Sequence, residues 1–310
     1  MSPRPRDYVI LAVMPLFFVS NLIIGRPAVD TVPPWTLAAL RWSFACLILL
    51  PFAWPGLREH GRALAAQWRL ILWLGFLGMW ICGGIVYVAL QFTTATHGTL
   101  IYTASPVLVV LIAAVLARRP LPLAEALGVI LGIAGVFTIV LEGAPLSILH
   151  RPFNAGDLLF IVAAISWAIY SIQLKSRALQ DFPTLLVFLA IALAGAVLLL
   201  PCMLAELALI GGFPTSAKAW TSIAGIVVFA SVLSFSSYQY GVKRVGPALT
   251  SIFLYLLPCY GIVLAAVFLG EAIHAYHGIG LLLVMAGVGL ATGLPGLLKS
   301  FVRQRANRSG

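Results

Sequence analysis

Ten apolar runs of about 20 residues follow one another along this chain, with only short polar connections between them. A run of that length crosses the hydrocarbon core of a bilayer as a helix. Within lipid every backbone N–H and C=O must find its partner inside its own segment, so helices are the economical answer. The runs lie at 8–26, 34–54, 68–90, 95–117, 122–141, 156–175, 182–206, 219–240, 246–269 and 273–293. Composition leads to the same place: 62% of the residues are hydrophobic and 9% are charged, against roughly 25% charged in soluble domains. So few charges cannot cover a water-facing surface. The chain therefore reads as an all-α integral membrane protein. The first run follows Arg4 and Arg6 as a signal peptide would, but it holds Pro15 and Asn21 and lacks a small-residue cleavage site, so it reads as a retained helix.

The formal net charge is +10, a value compatible with nucleic-acid binding. The basic residues form no single patch, however, and sit between the apolar runs, so lipid and not nucleic acid is the expected partner. With the N-terminus placed inside, the cytoplasmic segments hold fifteen Lys and Arg: Arg4, Arg6, Arg58, Arg62, Arg69, Arg118, Arg119, Lys175, Arg177, Lys243, Arg244, Lys299, Arg303, Arg305 and Arg308. The outer segments hold three, Arg26, Arg151 and Lys218, and Arg41 falls inside a run. The split alternates loop by loop, and adding or losing one span would scramble it. Both termini are expected in the cytoplasm and the protein in a bacterial plasma (inner) membrane.

The two halves resemble each other at a near-constant offset. Pro106 matches Pro258, Ala113-Ala114-Val115 matches Ala265-Ala266-Val267, Gly128 matches Gly280, Ala134-Gly135-Val136 matches Ala286-Gly287-Val288, and Trp68 matches Trp220, each 152 residues apart. Pro51 and Pro201 are 150 apart. Residues 1–148 are thus expected to form a first five-helix repeat and 149–294 a second, with 295–310 a basic cytoplasmic tail. Five is odd, so the second copy enters the membrane inverted. Inverted repeats place a ligand site near the midplane and alternate its access as they rock.

Ten spans, both ends inside and a five-plus-five inverted repeat resemble the drug/metabolite transporter superfamily, and within it the EamA-type ten-helix transporters. Thr103-Ala104-Ser105-Pro106 with Arg118-Arg119, Leu256-Leu257-Pro258 with Phe268-Leu269-Gly270-Glu271, and the glycine-rich stretches 127–141 and 279–293 carry the likeness over the whole chain. Arg119 stands where Glu271 stands in the second half, so whatever that glutamate does is not done twice. Trp167-Ala168-Ile169-Tyr170 and Tyr102 give a layout similar to the aromatic-amino-acid exporters. The resemblance implies secondary-type export of a small molecule, without catalysis or a cofactor.

Polar groups in lipid are costly and face the bundle interior. The nine acids, Asp7, Asp30, Glu59, Glu125, Glu142, Asp157, Asp181, Glu206 and Glu271, all fall in connections or near run ends. The lack of a central carboxylate favours a neutral or zwitterionic substrate, an amino acid with an aromatic or other apolar side chain, over an organic cation. Multidrug or cation efflux, and more distantly a membrane enzyme, stand as alternatives; no His-Glu-x-x-His, intramembrane aspartate pair or Gly-x-Ser-x-Gly supports the enzyme. Candidate substrate contacts are Trp80, Tyr87, Tyr102, Ser105, Trp167, Tyr170, Gln173, Ser234, Tyr255, Asn21 and Arg41.

Each of these has a second reading. Arg41 meets a substrate carboxylate, snorkels outward or pairs with a backbone carbonyl. The serines serve helix packing as readily as a cavity, Tyr87 and Tyr238 fit an interfacial belt, and Trp80 and Trp167 face a cavity or a neighbouring helix. Pro106 and Pro258 are hinges or fixed kinks. Gly128 and Gly132 suit helix packing or dimerisation, and a monomer or weak homodimer is expected. His97 reads as an interfacial histidine or a gate. Glu271, His274 and His277 recur every three residues, which drifts around a helix, so no metal site is expected. Cys46, Cys82, Cys202 and Cys259 lie in apolar runs without a close-spaced pair and read as small buried hydrophobes.

Overall fold

A computed structural model describes residues 5–116, 118, 120–144, 154–174, 176–245 and 253–291. The C-terminal tail and the start of the ninth run, with Ser251, lie outside the described residues, as do the side chains of Pro106 and Tyr255. Among the described residues all regular structure is helical. In chain order the helices are α1 (Pro5–Ala28), α2 (Pro34–Ala65), α3 (Trp68–Ala89), α4 (Ala95–Thr103), α5 (Ser105–Leu116), α6 (Leu123–Val140), α7 (Ala155–Gln173) and α8 (Thr184–Leu209). There follow α9 (Ala217–Gly225, Ile226–Leu233 and Ser234–Val245 in sequence), α10 (Leu257–Leu269) and α11 (Ala275–Ala291). Among the described residues seven helices are long and apolar enough to cross a membrane, α4 and α5 together make an eighth bent by 42°, and α10 and α11 are shorter apolar helices.

The long helices occupy the expected runs, with one clear difference. The run ending at 54 continues as helix through Pro51 and Pro55 to Ala65. Proline within a helical pattern is a stop signal, but here Leu57 and Leu64 extend the buried stripe, and Gly56 rests against Leu186 and Pro183.

Pro106 and Pro258 are not in mid-helix. Each is the second residue of its helix: Pro106 follows the break between α4 and α5, and Pro258 follows a 3-10 turn at Leu254–Leu256. At that position the missing N–H is one the helix leaves unpaired anyway. The prolines thus start new helices after a bend and cost no internal hydrogen bond.

Three stretches widen into π-helix: Phe76–Ile85 in α3, Ile226–Leu233 in α9 and Ala265–Leu269 at the end of α10. The first two start 150 residues apart, the separation of Pro51 and Pro201 and two short of the 152 read between the other matched residues.

α2 packs along α8 and α6 along α11. Small residues let the second pair approach closely. A Cβ on Gly287 would stand 2.6 Å from the Gly128 carbonyl oxygen, and one on Gly135 would stand 2.8 Å from the Gly280 carbonyl oxygen. Shifting each residue by 152 turns the first contact into the second, as a two-fold relation requires. The Gly128–Gly132 face is occupied within the chain.

Candidate functional site

One end of the bundle, the far end, gathers the end of α1, the start of α2, the end of α3 and the end of α8: Val29–Trp35, Val88, Gln91, Cys202, Ala205, Glu206 and Leu209–Gly212 line a common cleft of about 690 Å³. The N-terminus of α1 marks the near end. Arg41 lies seven residues into α2, about 10 Å below its start at 1.5 Å per residue. It is 4% exposed and does not snorkel.

Its guanidinium ties four helices together. Nε donates to Ser231 Oγ (2.9 Å) and one terminal nitrogen donates to Asn21 Oδ1 (2.7 Å) and Tyr87 Oη (3.1 Å). The other donates to the Ala230 carbonyl (3.2 Å). Tyr87 in turn donates to Asn21 Oδ1 at 2.8 Å. The guanidinium carbon lies 4.6 Å from the Trp42 ring centroid and 6.0 Å from that of Tyr87. Every hydrogen-bond partner is neutral, and among the described residues no carboxylate pairs with Arg41.

Local sequence explains the geometry. Gly25 on α1 leaves room for the Tyr87 ring, since a Cβ there would stand 2.9 Å from Tyr87 Cε1. The π turns of α9 carry Ala230 and Ser231, and those of α3 carry Gly83, whose bare backbone faces the Trp42 indole nitrogen. A π turn leaves carbonyls free for partners outside the helix, which is why such segments recur at functional sites. The Ala230 carbonyl accepts from both Arg41 and Ser234 (2.7 Å). Trp42 is 2% exposed and its indole N–H finds no acceptor among the described residues. Among the described residues the centre of the bundle thus holds a cation and an unused donor, and no anion pairs with them.

Aromatic rings adjoin this polar centre. Phe188 and Phe235 stack at 4.5 Å, each 6.3 Å from Trp42, and Phe18 lies 5.5 Å from Phe235. Such a group matches an apolar or aromatic side chain by area and quadrupole.

Of the residues singled out in sequence, Asn21, Arg41 and Tyr87 meet directly, and Ser234 joins them through the Ala230 carbonyl. Tyr87 is fully buried, so the belt reading is excluded for it. Trp80 stands apart: it stacks on Phe76 (5.1 Å), meets Trp35 (4.9 Å) and donates to Cys202 Sγ at 3.3 Å. Trp167 stacks on Tyr170 at 5.2 Å, and the Tyr170 ring covers Gly78. Tyr102 packs edge-on against Phe160 at 5.9 Å, and the Ser105 hydroxyl returns to the Tyr102 carbonyl. Gln173, partly buried, ends α7. The Ser166 hydroxyl reaches the Leu77 carbonyl in the α3 π segment. Sequence reading left Trp42 unnamed, although it adjoins Arg41, and left Ser231 out of the contact set.

Two of the acids cap helices at the far end. Glu206, at the end of α8, accepts from Trp35 N (3.2 Å), Thr36 N (2.7 Å) and Thr36 Oγ1 (2.8 Å), capping α2. Glu271 accepts from Ala95 N (2.8 Å) and Thr96 N (2.9 Å), capping α4. A carboxylate at a helix N-terminus satisfies unpaired donors and complements the dipole. Both caps join the second half to the first.

A family model described as "EamA-like transporter family" matches residues 7–141 and again 154–293. Uncharacterized transporter YyaM of Bacillus subtilis is 25% identical over 93% of this chain and 93% of its own length. An uncharacterized transporter of Archaeoglobus fulgidus is 26% identical over 93% and 97%. Uncharacterized inner membrane transporter YedA of Escherichia coli is 25% identical over 88% and 86%. A solved crystal structure matches with a TM-score of 0.60 at 22% identity, covering 96% of this chain and 99% of that one, a likeness of fold.

Proposed function

The chain belongs to the EamA-like transporter family, within the drug/metabolite transporter superfamily, and from that premise we propose that it exports small zwitterionic metabolites, foremost amino acids with aromatic or other apolar side chains. It is a multi-pass membrane transporter and not an enzyme. The observation that carries the substrate class is Arg41. A guanidinium buried at this depth with only neutral partners is costly. A substrate carboxylate supplies the missing charge, with the Trp42 N–H as a second donor. The ring group of Phe188, Phe235 and Phe18 receives the side chain. An organic cation would use the same rings, but Arg41 already lies over Trp42 and repels it.

The cycle is alternating access between two inverted five-helix repeats, 1–148 and 149–294, with both termini cytoplasmic in a bacterial inner membrane. Seven long helices, one bent pair and two shorter apolar helices are compatible with ten spans. The double match of the family model and the reciprocal glycine contacts between α6 and α11 support the repeat. The bends before Pro106 and Pro258 are its hinges. Closure of the glycine face within the chain favours a monomer.

The test is counterflow in proteoliposomes, using labelled phenylalanine, leucine, phenylalaninamide and an organic cation such as tetraphenylphosphonium. Exchange of the amino acids, with weak exchange of the uncharged-carboxyl amide, is expected. Exchange of the cation alone would establish the efflux alternative instead.

A further inference from the structure

At the far end a second set of buried polar groups is left unused by the transport cycle proposed above. Asp157, in the first turn of α7, is 1% exposed. It accepts from Thr93 Oγ1 at 2.5 Å and faces His97 Nδ1 at 3.2 and 3.3 Å. The His97 ring meets the edges of Tyr276 (6.1 Å, 88°) and His277 (5.4 Å, 81°). Three residues at a spacing of three drift around a single helix, but these are not on one. Gly270, at φ +66°, ends α10, and α11 starts only at Ala275. Glu271 and His274 therefore lie in the connection, and only His277 is helical.

His277 is the third residue of α11. Its Nδ1 accepts the backbone N–H of His274, the residue just before the helix, at 3.1 Å, and its own N–H returns to the His274 carbonyl. This is the reach-back half of a capping box, a place ordinarily filled by Glu or Gln. Nδ1 therefore carries no proton, and the neutral ring carries it on Nε2. His277 is 3% exposed, and Nε2 meets no partner among the described residues. An imidazolium cannot occupy this arrangement: it needs a donor at Nδ1, where an N–H already points. It would also place positive charge at a helix N-terminus, against the dipole.

We propose that His277 is a proton-binding site that ties closure of the far end to pH. The neutral ring caps α11 and keeps it seated against His97 of α4 and, through His97, Asp157 of α7. A proton taken from far-side water binds Nδ1, the bond from His274 N–H is lost, and α11 loosens from α4. The groups facing the site are His97 on α4, Asp157 on α7, Glu271 and His274 in the connection, Tyr276 on α11, and Glu142 at the end of α6 near Tyr276. In the loosened state the carboxylates of Asp157 and Glu271 are the partners for the new cation.

The test is the distance between spin labels at Phe92→Cys and Ile273→Cys, positions 55% and 57% exposed. The full chain, with its four native cysteines replaced, is held in nanodiscs, and electron–electron resonance is read at about pH 8 and about pH 5. A longer-distance population is expected to grow on acidification, by at most about tenfold in ratio per pH unit for one proton. His277→Asn, which keeps an acceptor near the Nδ1 position and cannot titrate there, is expected to hold the short distance at both pH values. A pH response unchanged in His277→Asn, or none in the parent, overturns the proposal. Should that variant not fold, hydrogen exchange of the parent at 95–97 and 271–277, corrected for intrinsic rates, decides: protection that does not fall with pH also overturns it. No substrate is needed, so this outcome stands apart from that of counterflow.

Discussion

Arg41→Met separates a structural peg from a substrate contact. Methionine follows the arginine stem as far as Nε and packs flexibly. The substitution removes four hydrogen bonds, worth about 1.5–3 kcal/mol each because the donor is charged, so about 6–12 kcal/mol in all. It also removes the desolvation cost of a buried cation, itself several kcal/mol. The two oppose each other, and a net loss of a few kcal/mol in stability is expected. Substrate binding has no such compensation. Leaving a carboxylate without its cation in a low-dielectric site costs about 3 kcal/mol, or about 150-fold in affinity. Arg41→Lys keeps the charge but not the planar fork and is expected to lose about tenfold. The assays are the half-saturation of phenylalanine counterflow and the melting temperature of the purified protein, measured side by side. If the Met variant transports with parental half-saturation, or loses transport only in step with its melting temperature, Arg41 is a peg and the assignment of a carboxylate-bearing substrate fails.

Tyr87→Phe deletes the hydroxyl that joins Arg41 to Asn21. About 1–2 kcal/mol of stability should be lost and half-saturation should rise several-fold; unchanged values of both would remove Tyr87 from the site. Glu206→Gln leaves one acceptor facing three donors at the start of α2, and a thermal melt should register a loss of about 1–3 kcal/mol. Gly287→Ala and Gly135→Ala each drive a methyl into a facing carbonyl across α6 and α11, at about 1–3 kcal/mol apiece. Tolerance of one with failure of the other would break the two-fold reciprocity.

The membrane class was legible because lipid allows few solutions: a run of about 20 apolar residues reads as a helix wherever it occurs. The family followed from the offset between halves and from motifs around Pro106, Pro258 and Glu271, and the family model matches both stretches. Helix ends were less legible. The second run reads as ending at 54, yet α2 continues through Pro51 and Pro55 to Ala65, with Leu64 in the main core and Leu57 packed against it. The candidate site was partly legible. Arg41 and Asn21 announce themselves as polar residues in apolar runs. Trp42 does not, since a tryptophan in such a run looks the same whether or not its N–H is paired.

Sequence alone therefore determined that this chain lives in lipid as helices and belongs with the transporters, because both conclusions rest on periodic or repeated patterns along one dimension. Tertiary structure decided which polar groups meet. Asn21, Arg41, Tyr87 and Ser231 come from four helices and span 210 residues, and no local pattern records their convergence. The same holds at the far end. The spacing of Glu271, His274 and His277 argued against a shared face, and it took the break at Gly270 to show that they do not share a helix. Hydrogen bonding acts over about 3 Å whatever the separation along the chain, so the chemistry of this protein was set by packing.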